Sequence, residues 1–175
     1  MIIIDTETGG LSANENPILS IGAVDFVTGE EFSCRITPTP RLRVDARAAE
    51  INGYNPGTWG GIPEHEAASG LLAFAAGRDE IIAGANIRFD VGFLTALITR
   101  TGYRKPFWPR MVDLQSLALN AHHAGKLTLP RKENGQLSFS VSAVCEALGI
   151  DRQGEHDALQ DARETAECMR RINRL

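Results

Sequence analysis

The run Ile2-Ile3-Ile4 is apolar at consecutive positions and β-branched throughout. Such side chains suit a pleated surface, and a strand without a polar face belongs in a sheet covered on both sides. The pattern predicts a strand over 2–5. Two further apolar runs, over 18–26 and 31–37, flank the Thr28-Gly29 turn and read as a hairpin, so three antiparallel strands open the fold. A short helix over 44–51, a Gly-, Pro- and Asn-rich loop through Pro63 and an alanine-rich helix over 64–76 come next. Crossover strands are expected over 80–84 and 111–114. Apolar residues at 89, 93, 94, 97 and 98 recur with helical spacing and predict a helix over 89–100. Helices are also expected over 115–122, 140–148 and 157–172, the last opened by Asp157 with Gln160 three residues on as a capping box. The sum is an α/β fold: a mixed sheet of three antiparallel strands followed by parallel crossover strands, with helices on both faces. Its functional site belongs at the strands' carboxyl ends.

Two acids break the apolar pattern where the first strand is expected to end. Side chains alternate with period two, so Asp5 and Glu7 point to one side and converge at the edge of a hydrophobic sheet, an arrangement that a cation relieves. A strand ending in a solvated acidic turn shows the same DxE pattern, so distant partners decide the reading. Asp90, in Asn86-Ile87-Arg88-Phe89-Asp90, falls in the first turn of a predicted helix, where the helix dipole favours negative charge. Asp161 falls about one turn inside the last helix, and His156 precedes that helix on a loop containing Gly154. Five residues apart on one continuous helix, the two side chains would face different ways; a histidine on the preceding loop can swing toward the acid.

Acids in the order DxE, NxxxD and HxxxxD, with Phe89 before the third and Ala162 after the fourth, resemble the DEDDh 3′–5′ exonucleases of the ribonuclease-H-like superfamily. This is the family of the polymerase proofreading epsilon subunit, exonuclease X and ribonuclease T. The resemblance runs from Ile2 to about Met169, so 1–175 is expected to be a single exonuclease domain. It implies Asp5, Glu7, Asp90 and Asp161 as metal ligands and His156 as general base. It also implies hydrolysis at the 3′ end of single-stranded DNA or RNA, releasing 5′-mononucleotides. Two Mg²⁺ or Mn²⁺ ions roughly 4 Å apart, bridged by Asp5, would serve that chemistry, one activating water and the other stabilising the leaving 3′ oxygen. Substrate contacts are implied at Thr6, Thr8, Gly10, Leu11, Asn86 and Phe89, with Leu11 and Phe89 at the family's base-wedging positions. The chain departs from the family at Ser20, where many relatives carry glutamate, at Asn52-Gly53, where several carry His-Gly, and at Ala85 before Asn86.

Composition adjusts this picture at a few points. At 175 residues and 43% hydrophobic, with no long apolar run, the chain is long enough for a full core and offers no membrane span. Met1 leads straight into the first strand, which points to the cytoplasm. The three cysteines, Cys34, Cys145 and Cys168, lack CxxC spacing and read as reduced small hydrophobes. A net charge of −4 argues against gripping long duplexes by electrostatics alone, although bound cations would offset part of it. Of the basic groups, Arg131-Lys132 is the best candidate for contact with nucleic acid, while Arg41, Arg43 and Arg47, and Arg100, Arg104, Lys105 and Arg110, read as solvated faces. His122-His123 reads as exposed, Gly9-Gly10 as a place where a nucleotide approaches the backbone, and Trp59 and Trp108 as packing residues that could also stack on bases. A non-catalytic nucleic-acid-binding or scaffolding domain on the same fold is the second reading, against which the full set of acids and the histidine count. The polypeptide's end soon after the last helix favours a free-standing enzyme, with a homodimer or a polymerase partner as the other arrangements.

Overall fold

The computed structural model describes residues 1–103, 110–152 and 157–175. Its strands are β1 (Ile2–Thr8), β2 (Ile18–Asp25), β3 (Glu31–Arg35), β4 (Ile81–Gly84) and β5 (Arg110–Asp113). They form one sheet in the order β3-β2-β1-β4-β5. β1 pairs antiparallel with β2, and β2 with β3, while β1–β4 and β4–β5 are parallel, which is the mixed sheet expected from the sequence. The helices are α1 (Ala46–Asn52), α2 (Glu64–Ala75), α3 (Ile87–Arg100), α4 (Leu114–His123), α5 (Val141–Leu148) and α6 (Ala158–Ile172).

Two cores sandwich the sheet, and the triple isoleucine divides between them. Ile2 and Ile4 pack with Leu71, Phe93, Leu94 and Leu97 of α2 and α3. Ile3 packs on the other side with Leu114, Val144, Ala162 and Ala166 of α4, α5 and α6. Continuing the alternation, Thr6 belongs to the α3 side, and Asp5 and Glu7 to the α6 side. The chemistry of the acids is therefore tied to how α6 seats.

Several boundaries differ from the sequence reading. β1 continues three residues past Asp5, because its edge pairs with β2 as far as Thr8 against Ile18. β2 stops at Asp25, whose carboxylate accepts from the N–H groups of Val27 and Thr28 and turns the chain. β3 stops at Arg35, and Ile36 goes on only as an isolated bridge to Ile62. α3 starts earlier than position 89: the Asp113 carboxylate accepts from the Ile87 N–H at 3.1 Å, so a residue distant in sequence caps the helix. Asp157 is the N-cap of α6 rather than its first residue, accepting from the Gln160 N–H at 2.9 Å. Cys34, Cys145 and Cys168 are free. Among the described residues no helix is long and apolar enough to cross a membrane.

Candidate active site

α6 reaches the acids of β1 because β2 presents a glycine beneath it. Gly22 lies opposite Asp5 in the sheet. A Cβ at this position would come within 2.2 Å of the Ala158 carbonyl carbon and of the Leu159 nitrogen, so the first turn of α6 rests directly on bare backbone. Seated there, the helix brings Asp161 beside the strand. One carboxylate oxygen from each of Asp5, Glu7 and Asp161 lies within 4.8 Å of the others. Asp90 approaches from the opposite face, in the first turn of α3, and is only 4% exposed. Its Oδ1 accepts from the Thr6 N–H at 3.0 Å and from the Thr6 hydroxyl at 2.7 Å, which fastens α3 to β1. The fifth expected member, His156, lies outside the described residues.

Burial and mutual repulsion dominate the electrostatics. The Asp5 carboxyl is pushed well above the usual carboxylate range, first by burial and then by the charges of Asp90, Asp161 and Glu7, with Arg152 pulling the other way. Asp90 is raised to about 7, mainly by burial; the Thr6 hydrogen bonds oppose the rise and the Glu7 charge adds to it. Arg152 pairs with Asp161 and, at 2.6 Å, with Glu164, which is itself 4% exposed. Gln160 donates a further hydrogen bond to Glu164 at 3.0 Å. All-oxygen donors, crowded together and penalised for being ionised, suit a hard divalent cation, which stabilises the charged forms that the protein alone disfavours.

Comparison with known proteins shows the family. A family model, RNase_T, described as Exonuclease, matches residues 2–169. The chain belongs to this exonuclease family. It is 28% identical over 186 residues to a ribonuclease T of Photorhabdus laumondii subsp. laumondii, with 96% of this chain and 81% of that protein aligned. It is 27% identical over 183 residues to the 3′-5′ DNA exonuclease Cap18 of Escherichia coli, covering 99% of this chain and 91% of that one. Among solved structures, E. coli exonuclease I in complex with a dT13 oligonucleotide matches at 22% identity with a TM-score of 0.84. That match covers 98% of this chain and 40% of the exonuclease I chain, so the present chain spans about two fifths of it and shares its fold.

The remaining expected positions of this exonuclease family member divide between open and enclosed. Leu11 stands out from the loop after β1, 86% exposed. Asn86 is exposed and is the one described residue other than glycine with positive φ, at 58°; its side chain makes no cap bond to α3. Phe89 is half-buried, its ring 4.9 Å from that of Phe93, and packs against the α2–α3 core. Thr6 is buried and its hydroxyl is committed to Asp90, and the Thr8 hydroxyl donates to the Gly10 carbonyl at 2.8 Å. Gly9 and Gly10 are buried rather than laid open to a nucleotide. A Cβ on Gly10 would meet the Asn16 side chain at 2.4 Å and one on Gly9 would meet Pro17 at 2.7 Å, so close packing of this loop explains both glycines. His122 is structural, its Nδ1 lying 3.1 Å from the Leu127 carbonyl. Arg43 and Arg47 pair with Asp45 and Glu50, Arg100 with Glu64, and Arg131 donates to the Gly135 carbonyl. Arg104, Lys105 and Trp108 lie outside the described residues.

Gly22, Asp113 and Arg152 escaped the sequence reading. Gly22 carries a weak signal, a glycine interrupting a strongly apolar strand, which marks a close backbone approach. Arg152 and Asp113 carry none, since each acts on a partner many residues away.

Proposed function

We propose that the chain is a divalent-metal-dependent 3′–5′ exonuclease that releases 5′-mononucleotides from the 3′ end of single-stranded DNA or RNA. The observation that carries this reading is the convergence of Asp5, Glu7 and Asp161 within 4.8 Å in a chain of the exonuclease family. Asp5, Glu7, Asp90 and Asp161 would hold two Mg²⁺ or Mn²⁺ ions, whose chemistry is to sharpen water as a nucleophile and to stabilise charge on the leaving 3′ oxygen. His156 is the general base that takes the proton of the attacking water. Thr6 fixes Asp90 through two hydrogen bonds, and Arg152 holds Asp161 against Glu164, so both acids meet their task already oriented. Leu11, exposed at the rim, is the wedge beside the last base. Phe89 splits its surface between the core and the terminal nucleotide.

The relatives' names divide over the nucleic acid, a ribonuclease T on one side and a 3′-5′ DNA exonuclease on the other, while the exonuclease I complex holds a single-stranded oligonucleotide. These names support a single-stranded substrate of either sugar. The reading places the enzyme in the cytoplasm, and three free cysteines support that placement. Purified protein incubated with Mg²⁺ and 5′-labelled DNA and RNA of one sequence tests the proposal. A ladder shortening from the 3′ end and abolished by EDTA is the expected result; internal cuts, or a label released at once from the 5′ end, would contradict it.

A further inference from the structure

Beside the acid cluster, on the β3 side, lies a polar cavity lined by Glu7, Ser20, Ser33, Arg35, Asn52 and Trp59, together with the start of α6. Three of these residues form one row across the sheet: Glu7 pairs with Ser20, and Ser20 with Arg35. Strands lie side by side at 4.7–4.9 Å, so the Arg35 backbone stands about 10 Å from that of Glu7, a span that an arginine side chain and one nucleotide together cover. The position of Ser20 matters here. A small hydroxyl leaves the row open, whereas a longer acidic side chain there would fill it with a further negative charge.

Arg35 is prepared to bind something. Its guanidinium lies over the Trp59 ring at 4.9 Å, and Tyr54 backs the indole at 5.4 Å. The Trp59 Nε1 donates to the Ile36 carbonyl at 3.1 Å, anchoring the stack to the residue after β3. Among the described residues no carboxylate pairs with Arg35. The Asp157 carboxylate at the cavity's other wall accepts from the Gln160 N–H at the start of α6. The Oδ1 of Asn52, which also lines the cavity, is buried without a hydrogen-bond partner, while its amide nitrogen donates to the Thr8 carbonyl at 3.0 Å. A cation of fixed orientation, flanked by two serine hydroxyls and two strands away from the proposed metal ligand Glu7, matches a phosphate.

We propose that Arg35, positioned by Trp59, binds the first phosphate on the 5′ side of the scissile phosphate in a single-stranded nucleic-acid substrate. The inference rests on the exonuclease reading. The first turn of α3, which carries Phe89, follows directly on β4 and is bonded to Asp113 at the end of β5, so the terminal nucleotide is assigned to that side of β1 and the strand leaves over β2 and β3. The subsite sets binding of the penultimate nucleotide, and the bond-breaking groups are unchanged by it.

A matched set of short substrates tests the subsite: dTpdT, whose 5′ end is a hydroxyl, pdTpdT, which carries the added phosphate, and dT12. Arg35→Ala is expected to raise KM for pdTpdT and dT12 about tenfold, with kcat and melting temperature retained, and to leave KM for dTpdT unchanged. Arg35→Lys should recover part of the loss, Trp59→Ala should reproduce it more weakly, and Trp59→Phe should be near wild type. Fluorescence anisotropy with a labelled dT12 carrying a hydrolysis-resistant 3′ linkage gives a second readout, in which Arg35→Ala lowers the salt slope by about 0.7. An equal rise in KM for dTpdT and pdTpdT, or KM for pdTpdT within twofold of wild type, would overturn the proposal. A wild-type protein that hydrolyses none of the three but binds labelled dT12 through Arg35 would remove the nuclease reading and leave the phosphate site standing.

Discussion

At the residue scale, the site is a set of charges that the fold holds at a cost. Asp90 titrates near 7 in the folded protein and close to 3.9 in an unfolded chain, so between these values the folded state binds the extra proton. Stability of the metal-free protein therefore falls as pH rises through that window. Asp90→Asn keeps an oxygen for both Thr6 hydrogen bonds and abolishes the charge. In EDTA, its melting temperature should pull ahead of wild type between pH 5 and pH 8, and Mg²⁺ should reverse the order; a gap independent of pH would contradict this account. Arg152 is the opposite case, a cation 19% exposed between Asp161 and a buried Glu164. Its removal takes the arginine charge away from the buried Glu164 carboxylate, so Arg152→Ala should cost about 3–5 kcal/mol in denaturant unfolding, and an unchanged midpoint would show the network to be dispensable. His156→Ala should lower kcat by ~10²- to 10⁴-fold while metal still binds, and the wild-type rate should fall below roughly pH 6.5 as the imidazole protonates. A rate still flat at pH 5 would assign the proton transfer elsewhere. The acids were legible because period-two alternation and a helix's first turn constrain where a side chain points. Arg152 was not, because its partners lie nine and twelve residues on and helix spacing does not connect them.

At the scale of elements, the geometry of the acid cluster depends on how closely α6 sits on β2. Gly22 is the contact, and any side chain there meets the helix backbone at 2.2 Å, where no rotamer change gives relief. Gly22→Ala should lift the first turn of α6, moving Asp161 away from Asp5 and Glu7. The expected result is a lower melting temperature together with a weaker Mn²⁺ affinity measured by calorimetry; a destabilised protein with wild-type metal affinity would place the cluster under some other control. The sequence announced both elements but not their distance. β2 and α6 each follow from their own periodicity, whereas their contact joins residues more than a hundred positions apart. The same limit explains α3, whose true start is set by Asp113 reaching back from the end of β5.

For the whole molecule, the expected mixed sheet, three antiparallel strands followed by parallel crossover strands with helices on both faces, holds, because apolar runs of strand length and helix-period stripes alternate along the chain with few ambiguous segments. The site then falls where a mixed sheet of this kind puts it, at the carboxyl end of the central strand. The Gly9-Gly10 loop was misread for a physical reason: glycine marks a close approach, but the sequence does not say whether protein or ligand approaches, and here Pro17 and Asn16 do. An overall charge of −4 fits an enzyme that meets polyanionic substrate through bound cations and local basic groups rather than through a basic face. Turnover of a single-stranded oligonucleotide by wild type and Asp161→Asn across a Mg²⁺ titration, with both proteins shown to be folded by their melting curves, tests whether the acid cluster acts through bound metal. Saturable, Mg²⁺-dependent release of 5′-mononucleotides by wild type, and almost none by the variant at any concentration, is the predicted result. Turnover by Asp161→Asn within a few-fold of wild type, or wild-type turnover indifferent to Mg²⁺, would contradict it.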